Sequence, residues 1–166
     1  MSRNTLLLVP VVVVCLLSCE PSPPPANFEK SLTGQWEVTA FQVLINSAYN
    51  KDSSYLVEVP AGTWPERMQQ YPERIHFMLN NRFTAENMNL DDELAYQRRG
   101  MWDLRNDTML RLIEPKGTDD YRLYWLNADA VTLYGLLDHD GDGRSDDVYN
   151  ATWHRIRPDS LTASDQ

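Results

Sequence analysis

The chain has 166 residues, with 15 Lys and Arg against 24 Asp and Glu and a formal net charge of −9. That sign opposes phosphate binding and argues against a nucleic-acid partner, whereas a basic protein or a cation suits it better. Both cysteines, Cys15 and Cys19, lie near the N-terminus, so the rest of the chain has no thiol pair for a disulfide and relies on packing for stability.

The N-terminus places Arg3 ahead of an apolar run from Leu6 to Leu17, the basic-then-hydrophobic order of a secretory signal. At about 1.5 Å per residue the run reaches roughly 18 Å, short of a hydrocarbon core of roughly 30 Å, and Pro10 interrupts it. It ends in Leu16-Leu17-Ser18-Cys19, which resembles the lipobox of bacterial lipoproteins. The resemblance implies a signal peptide over 1–18, cleavage before Cys19, and a diacylglyceryl group on its sulfur. An ordinary signal with a chance cysteine is the plain alternative. Against it stand Pro21, Pro23, Pro24 and Pro25, which make 19–30 an extended, semi-rigid stalk of the kind an anchored domain needs. Glu20 after the cysteine favours an outer-membrane destination. With Arg3 removed, 14 basic residues face 24 acidic ones, giving −10.

Residues 31–157 read as one domain and 158–166 as a polar tail. Gly34 to Ile45 alternates with Trp36, Val38 and Ala40 on one parity and Phe41, Val43 and Ile45 on the other, a phase change that predicts a bulge or bend near residue 40. Further strands are expected at Arg74 to Leu79, Arg82 to Asn87, Leu94 to Leu104, Met109 to Glu114, Tyr121 to Leu126, Val131 to Leu137 and Val148 to Arg157, separated by polar turn residues. Residues 46–72 are too long for a hairpin. Within them Thr63 as N-cap, Pro65 in the first turn and Glu66 three residues on predict a short helix over Trp64 to Tyr71, stopped by Pro72. The pattern is all-β, about eight sequential antiparallel strands with one short helix, which hide their edges either as an up-and-down barrel or as a sandwich.

The segment "LTGQWEV", with Gly34 and Trp36, resembles the Gly-x-Trp opening of lipocalins, and more closely the lipocalin-like domains attached to bacterial lipoproteins of the Bacteroidota type. A second Gly-x-Trp, Gly100-Met101-Trp102, the strand in "RNDTMLRLIEP" and the acidic hairpin "DHDGDGRSDDVYNATWHRIR" follow in the order seen in that group. The resemblance implies an eight-stranded up-and-down barrel whose floor is closed by Trp36, with Arg155 or Arg157 laid across the indole face. It implies a monomer that binds a small apolar ligand in its cup or a partner at its rim. Any buried tryptophan of a β-sandwich is the structural alternative for Trp36.

The stretch "LLDHDGDGRSDD" is the densest acidic cluster. Counted from Asp138 as the first position of a calcium loop, Asp140 is third, Asp142 fifth, Gly143 sixth, the Arg144 carbonyl seventh and Asp146 ninth; the twelfth, where a bidentate acid belongs, is Tyr149. The pattern also resembles thrombospondin type 3 repeats, which do not depend on that acid. Crowded carboxylates gain from a divalent cation. The other reading is a solvated hairpin loop in which the two Asp-Gly steps supply positive φ.

Gly-x-Ser-x-Gly, His-Glu-x-x-His and a phosphate-cradling glycine loop are absent from the sequence, and the three histidines, His76, His139 and His154, read as surface residues of a sheet, with an approach of His139 to His154 across the last hairpin as the alternative. Asp91, Asp92 and Glu93 read as a loop. Trp64, Trp102, Tyr124, Trp125, Tyr134 and Trp153 divide between core and cavity wall. The expectation is a non-catalytic, lipid-anchored barrel of the cell envelope that binds a small ligand, with calcium in its acidic loop. The rival is an acidic inhibitor or interaction module working through its surface, such as one that blocks basic lysozymes.

Overall fold

Every second side chain is buried along Arg74–Phe77 and Arg82–Met88, the period-two pattern of a wall with one dry and one wet face. The computed structural model describes Asn27, residues 31–46 and residues 53–157. The expected signal peptide 1–18, the lipidated Cys19 and the rest of the stalk apart from Asn27, and the polar tail 158–166 lie outside the described residues.

In chain order the elements are β1 (Gly34–Ile45), β2 (Tyr55–Val59), α1 (Trp64–Met68), β3 (Arg74–Phe77), β4 (Arg82–Met88), β5 (Leu94–Arg105), β6 (Met109–Glu114), β7 (Gly117–Asn127), β8 (Ala130–Leu137) and β9 (Asp147–Arg155). Strands β3 to β9 pair in sequence, each antiparallel to the next. β1 closes the ring by pairing with β9 along one edge and with β3 along the other. The result is a closed eight-stranded up-and-down barrel with one extra strand, so no ring strand leaves a full edge exposed. The sandwich alternative is thereby excluded. Among the described residues no helix is long and apolar enough to cross a membrane.

The extra strand is β2, which sequence reading absorbed into a long connection. β3 pairs only with Gly34–Glu37, so the backbone of Phe41–Ile45 runs on with an unpaired edge. Tyr55–Val59 fills that edge in register, Phe41 opposite Val59 and Ile45 opposite Tyr55. The helix is also shorter than expected, ending at Met68 rather than Tyr71. Gln69 turns into the left-handed region (φ 56°, ψ 32°), after which Gln70 bridges to Asn89 and the Tyr71 amide donates to the Met88 carbonyl at 2.9 Å. The neighbouring strand thus takes the backbone groups a longer helix would have used. Nor does the capping box form, because the Thr63 hydroxyl donates back to the Pro60 carbonyl at 2.8 Å instead of to the helix.

The bulge falls between Val38, opposite Trp153, and Ala40, opposite Thr152. Thr39 is the extra residue, and the inward set changes from Trp36 and Val38 to Val43 and Ile45 across it. It also ties the helix to the wall. Its carbonyl accepts the Trp64 indole N–H at 3.1 Å, and the Trp64 ring packs on Phe41 with centroids 5.2 Å apart.

The lower half of the barrel is a solid apolar plug. Phe77 sits at its centre, 5.9 Å from Trp153, 5.5 Å from Trp102 and 6.2 Å from Phe83 between ring centroids. Leu110, Leu112, Leu123 and Leu133 fill the gaps and are buried. Each such side chain stabilises the fold by about 1.5 to 3 kcal/mol, so this plug is the main source of stability in a barrel whose described residues include no cysteine.

Candidate functional site

Above the plug the inward positions change chemistry. Continuing up the same strands from Trp102, Leu112 and Leu123, the inward residues become Arg98 on β5, Glu114 on β6, and Tyr121 and Asp119 on β7, with Tyr149 on β9. Arg98, Asp119, Tyr121 and Tyr149 line a cavity of about 380 Å³ at the mouth of the barrel, whose other walls include Phe41, Trp64, Met68, Glu73 and Leu137, while Glu114 stands behind Arg98. That volume lies at the small end of the range for ligand pockets, about 300 to 1,000 Å³.

Arg98 organises the base of this cup. Its Nε and Nη2 donate to the two oxygens of Glu73 at 3.0 and 3.1 Å, and its Nη1 donates to Glu114 at 2.9 Å. Burial opposes the guanidinium charge, but the charge and hydrogen bonds of Glu73, helped by Tyr121 and Glu114, hold its pKa well above the ordinary value. Burial raises the pKa of Asp119; Arg98 counters, and Glu114 adds to the rise. Burial likewise pushes the Tyr121 and Tyr149 hydroxyls upward, with Tyr149 adding to the first and Glu73 to the second. The cup wall therefore holds the Arg98 cation and the carboxylates of Glu73, Asp119 and Asp138, with Glu114 paired to Arg98 from behind.

The opposite end of the barrel is a structural floor. Arg155 Cζ lies 4.4 Å from the centroid of the Trp36 ring, while Nη1 donates to the Thr33 carbonyl at 2.8 Å and Nη2 donates to the Ser31 carbonyl. Arg157, the other arginine considered for this role, is exposed and pairs with Asp129, whose other carboxylate oxygen lies 3.6 Å from Arg155 Nε. Gly34 adopts φ 116°, and a Cβ there would lie 3.0 Å from Arg155 Nη1, so the glycine makes room for the guanidinium. Gly100 has no room either, since a Cβ would meet the Ile113 carbonyl oxygen at 2.2 Å. The two Gly-x-Trp motifs do the same work: Trp36 Nε1 donates to the Leu32 carbonyl at 2.7 Å, and Trp102 Nε1 to the Met78 carbonyl at 3.1 Å. Each ties an indole N–H to a backbone carbonyl outside its own strand.

No protein-family model and no curated protein matches this chain. Geometry and chemistry therefore carry the functional reading.

The acidic loop between β8 and β9 stands at the mouth, and Asp138 and His139 line the cup as well. Carboxylate oxygens of Asp138, Asp140 and Asp142 lie within 4.8 Å of one another. Asp146 does not join that group, and Arg144 is exposed. Much of the loop's shape comes from its own side chains: Asp140 accepts from the Asp142 amide at 3.1 Å, Asp138 from Gly143 at 3.1 Å, and Asp142 from Arg144 at 2.8 Å. The residue that anchors it is Asp147, fully buried and not singled out from sequence. Its carboxylate accepts from the Asn46 amide at 2.9 Å and from the His139 and Asp140 amides at 2.7 and 3.3 Å, fastening the loop to the end of β1.

The aromatic residues divide as follows. Trp102 and Trp153 belong to the plug, Trp64 to the cup, and Trp125 packs edge-on against Trp36 at 6.0 Å, while Tyr124 and Tyr134 face outward. The three histidines are exposed. His139 and His154 do not approach each other, because the hairpin register sets His154 opposite Ala130 at the floor while His139 stands at the mouth.

Proposed function

We propose that this protein is a non-catalytic, lipocalin-like binding protein, fixed to the outer membrane by lipidated Cys19, that takes a small ligand into the cup of its barrel. The observation that carries this reading is the cavity above the Phe77 plug, walled by Phe41, Trp64 and Tyr149 and based on the Arg98 cluster. The cavity lies at the mouth, lined in part by Trp64 and Met68 of α1 and by Asp138 and His139 of the acidic loop. The lipobox-like Leu16 to Cys19 and the proline stalk support the anchor.

Native mass spectrometry of protein purified from its host is expected to show a retained small molecule, released on denaturation. A hydrophobic dye is expected to be displaced when that molecule is added back. Protein that is always recovered empty, and that no dye enters, would remove the binding reading. The anchor is tested separately: the intact mass should include a diacylglyceryl modification that Cys19→Ser abolishes.

A calcium ion in the acidic loop is a second element of the proposal. It is favoured by the convergence of Asp138, Asp140 and Asp142 and by a buried Asp142 Oδ2 that has no hydrogen-bond partner. Such a site belongs to the weak extracellular class, on the order of 10⁻⁴ to 10⁻³ M.

A further inference from the structure

We infer that the ligand of the cup is a small organic cation with an apolar body, its charged group held by Asp119 and its body against Phe41 and Trp64. The inference rests on the binding reading above and specifies its chemistry. A purely apolar guest is a poor match for a cup whose base contains Arg98, Glu73 and Asp119, since burying those groups against hydrocarbon gives up their contact with water for nothing in return. An anion is a poor match as well. Arg98 is the fixed cation of the cup, and its Nε, Nη1 and Nη2 already donate to Glu73 and Glu114, so an incoming carboxylate or phosphate competes with two built-in acids.

The group left without an ion pair is negative. Glu73 and Glu114 are both paired with Arg98, whereas Asp119 is half-buried, makes no ion pair within 4.0 Å among the described residues, and lines the cavity. Its carboxylate is partly desolvated; Arg98 attracts it and Tyr121 hydrogen-bonds to it, while Glu114 and Asp120 oppose its charge, and an ammonium or guanidinium group adds a charge-assisted hydrogen bond at the exposed side. The tilted pair Phe41 and Trp64, with centroids 5.2 Å apart, supplies an aromatic wall whose faces favour a cation and pack a hydrocarbon body equally well. Asp138 at the rim adds attraction for the same sign of charge.

The test uses three probes of one size and shape, phenethylammonium, 2-phenylethanol and phenylacetate, titrated into the mature protein by calorimetry, with NMR shifts of the Trp64 indole N–H to locate binding. The ammonium is expected to bind at least about tenfold more tightly than the alcohol, a difference of roughly 1.4 kcal/mol. Phenylacetate is expected to bind weakest, and Asp119→Asn to remove the ammonium's advantage. Equal or tighter binding of the alcohol or the carboxylate to wild type overturns the cation inference and leaves cup binding intact. If no probe and no hydrophobic dye perturbs Trp64, both readings fall together. The wild-type comparison decides the matter even if the variant does not fold.

Discussion

Arg98 and Glu73 meet in a two-point contact, Nε to Oε1 at 3.0 Å and Nη2 to Oε2 at 3.1 Å, with side chains only 16% and 13% exposed. A pair this dry is expensive to form and more expensive to break from one side. Arg98→Met leaves Glu73, Glu114 and Asp119 in one poorly hydrated space, and a loss of about 3 to 5 kcal/mol is expected at neutral pH in urea denaturation. Adding Glu73→Gln to that variant should recover part of the loss, because one stranded charge is removed. A double variant no more stable than Arg98→Met would show that the arginine acts through packing alone.

At the floor, Arg155 covers the Trp36 ring and donates to the Ser31 and Thr33 carbonyls. Arg155→Met keeps much of the aliphatic stem but forfeits the cation-π contact, the ion pair with Asp129 at 3.6 Å and the hydrogen bonds to two carbonyls. The expected cost is about 2 to 4 kcal/mol. Arg155→Lys, with a single ammonium in place of the planar fork, should fall between the two. Thermal unfolding followed by tryptophan fluorescence measures both, and a lysine variant as stable as wild type would mean that charge alone suffices at this site.

Asp147 is the fastening of the acidic loop. Asp147→Ala removes one acceptor shared by three amides, and a loss of about 1.5 to 3 kcal/mol is expected. Hydrogen exchange at the His139, Asp140 and Asn46 amides should quicken well beyond the global change, since those donors lose their partner. Uniform acceleration across the barrel would mean that the contact has no local role.

Millimolar calcium should raise the thermal midpoint of the wild-type protein, and Asp140→Ala combined with Asp142→Ala should abolish the rise. Identical melting curves in calcium and in chelator would show that the loop is held by its own hydrogen bonds alone.

The barrel was legible because its strands are regular. Alternation located the ring strands, the parity change in β1 located the bulge, and the first Gly-x-Trp, through Trp36, marked the floor. β2 was hidden because five residues gain their reason to be extended only from the bare edge of Phe41–Ile45, which is a tertiary fact. The cup was hidden for a related cause. Arg98 drew no notice within its expected strand, and Asp119 fell among the polar turn residues expected between Glu114 and Tyr121, although each shares parity with an inward residue, Trp102 in one strand and Tyr121 in the other. Parity carried further up each strand would have placed them inside. Asp147 had no such signal among so many aspartates, and only the packing of the loop against Asn46 distinguishes it.

The half-buried Asp119 gives a pH-dependent test of whether the cup is built for binding at the expense of stability. Its folded-state pKa lies above the ordinary value of 3.8, chiefly because burial disfavours the charge. The native state therefore favours the protonated acid. The corresponding stabilisation is complete below the unfolded pKa and is lost as pH rises through the higher folded value, so at neutral pH the ionised carboxylate weighs against folding. Asp119→Asn removes that burden with little change of shape. Its stability should match wild type in acid, below about pH 3.8, and exceed it at pH 7 in urea titrations run at both values. The same variant should lose the preference for a cationic guest, the pattern expected where a site keeps an unfavourable charge for its function. An asparagine variant less stable than wild type at pH 7 would mean that the carboxylate is satisfied within the fold and is not held in readiness for a ligand.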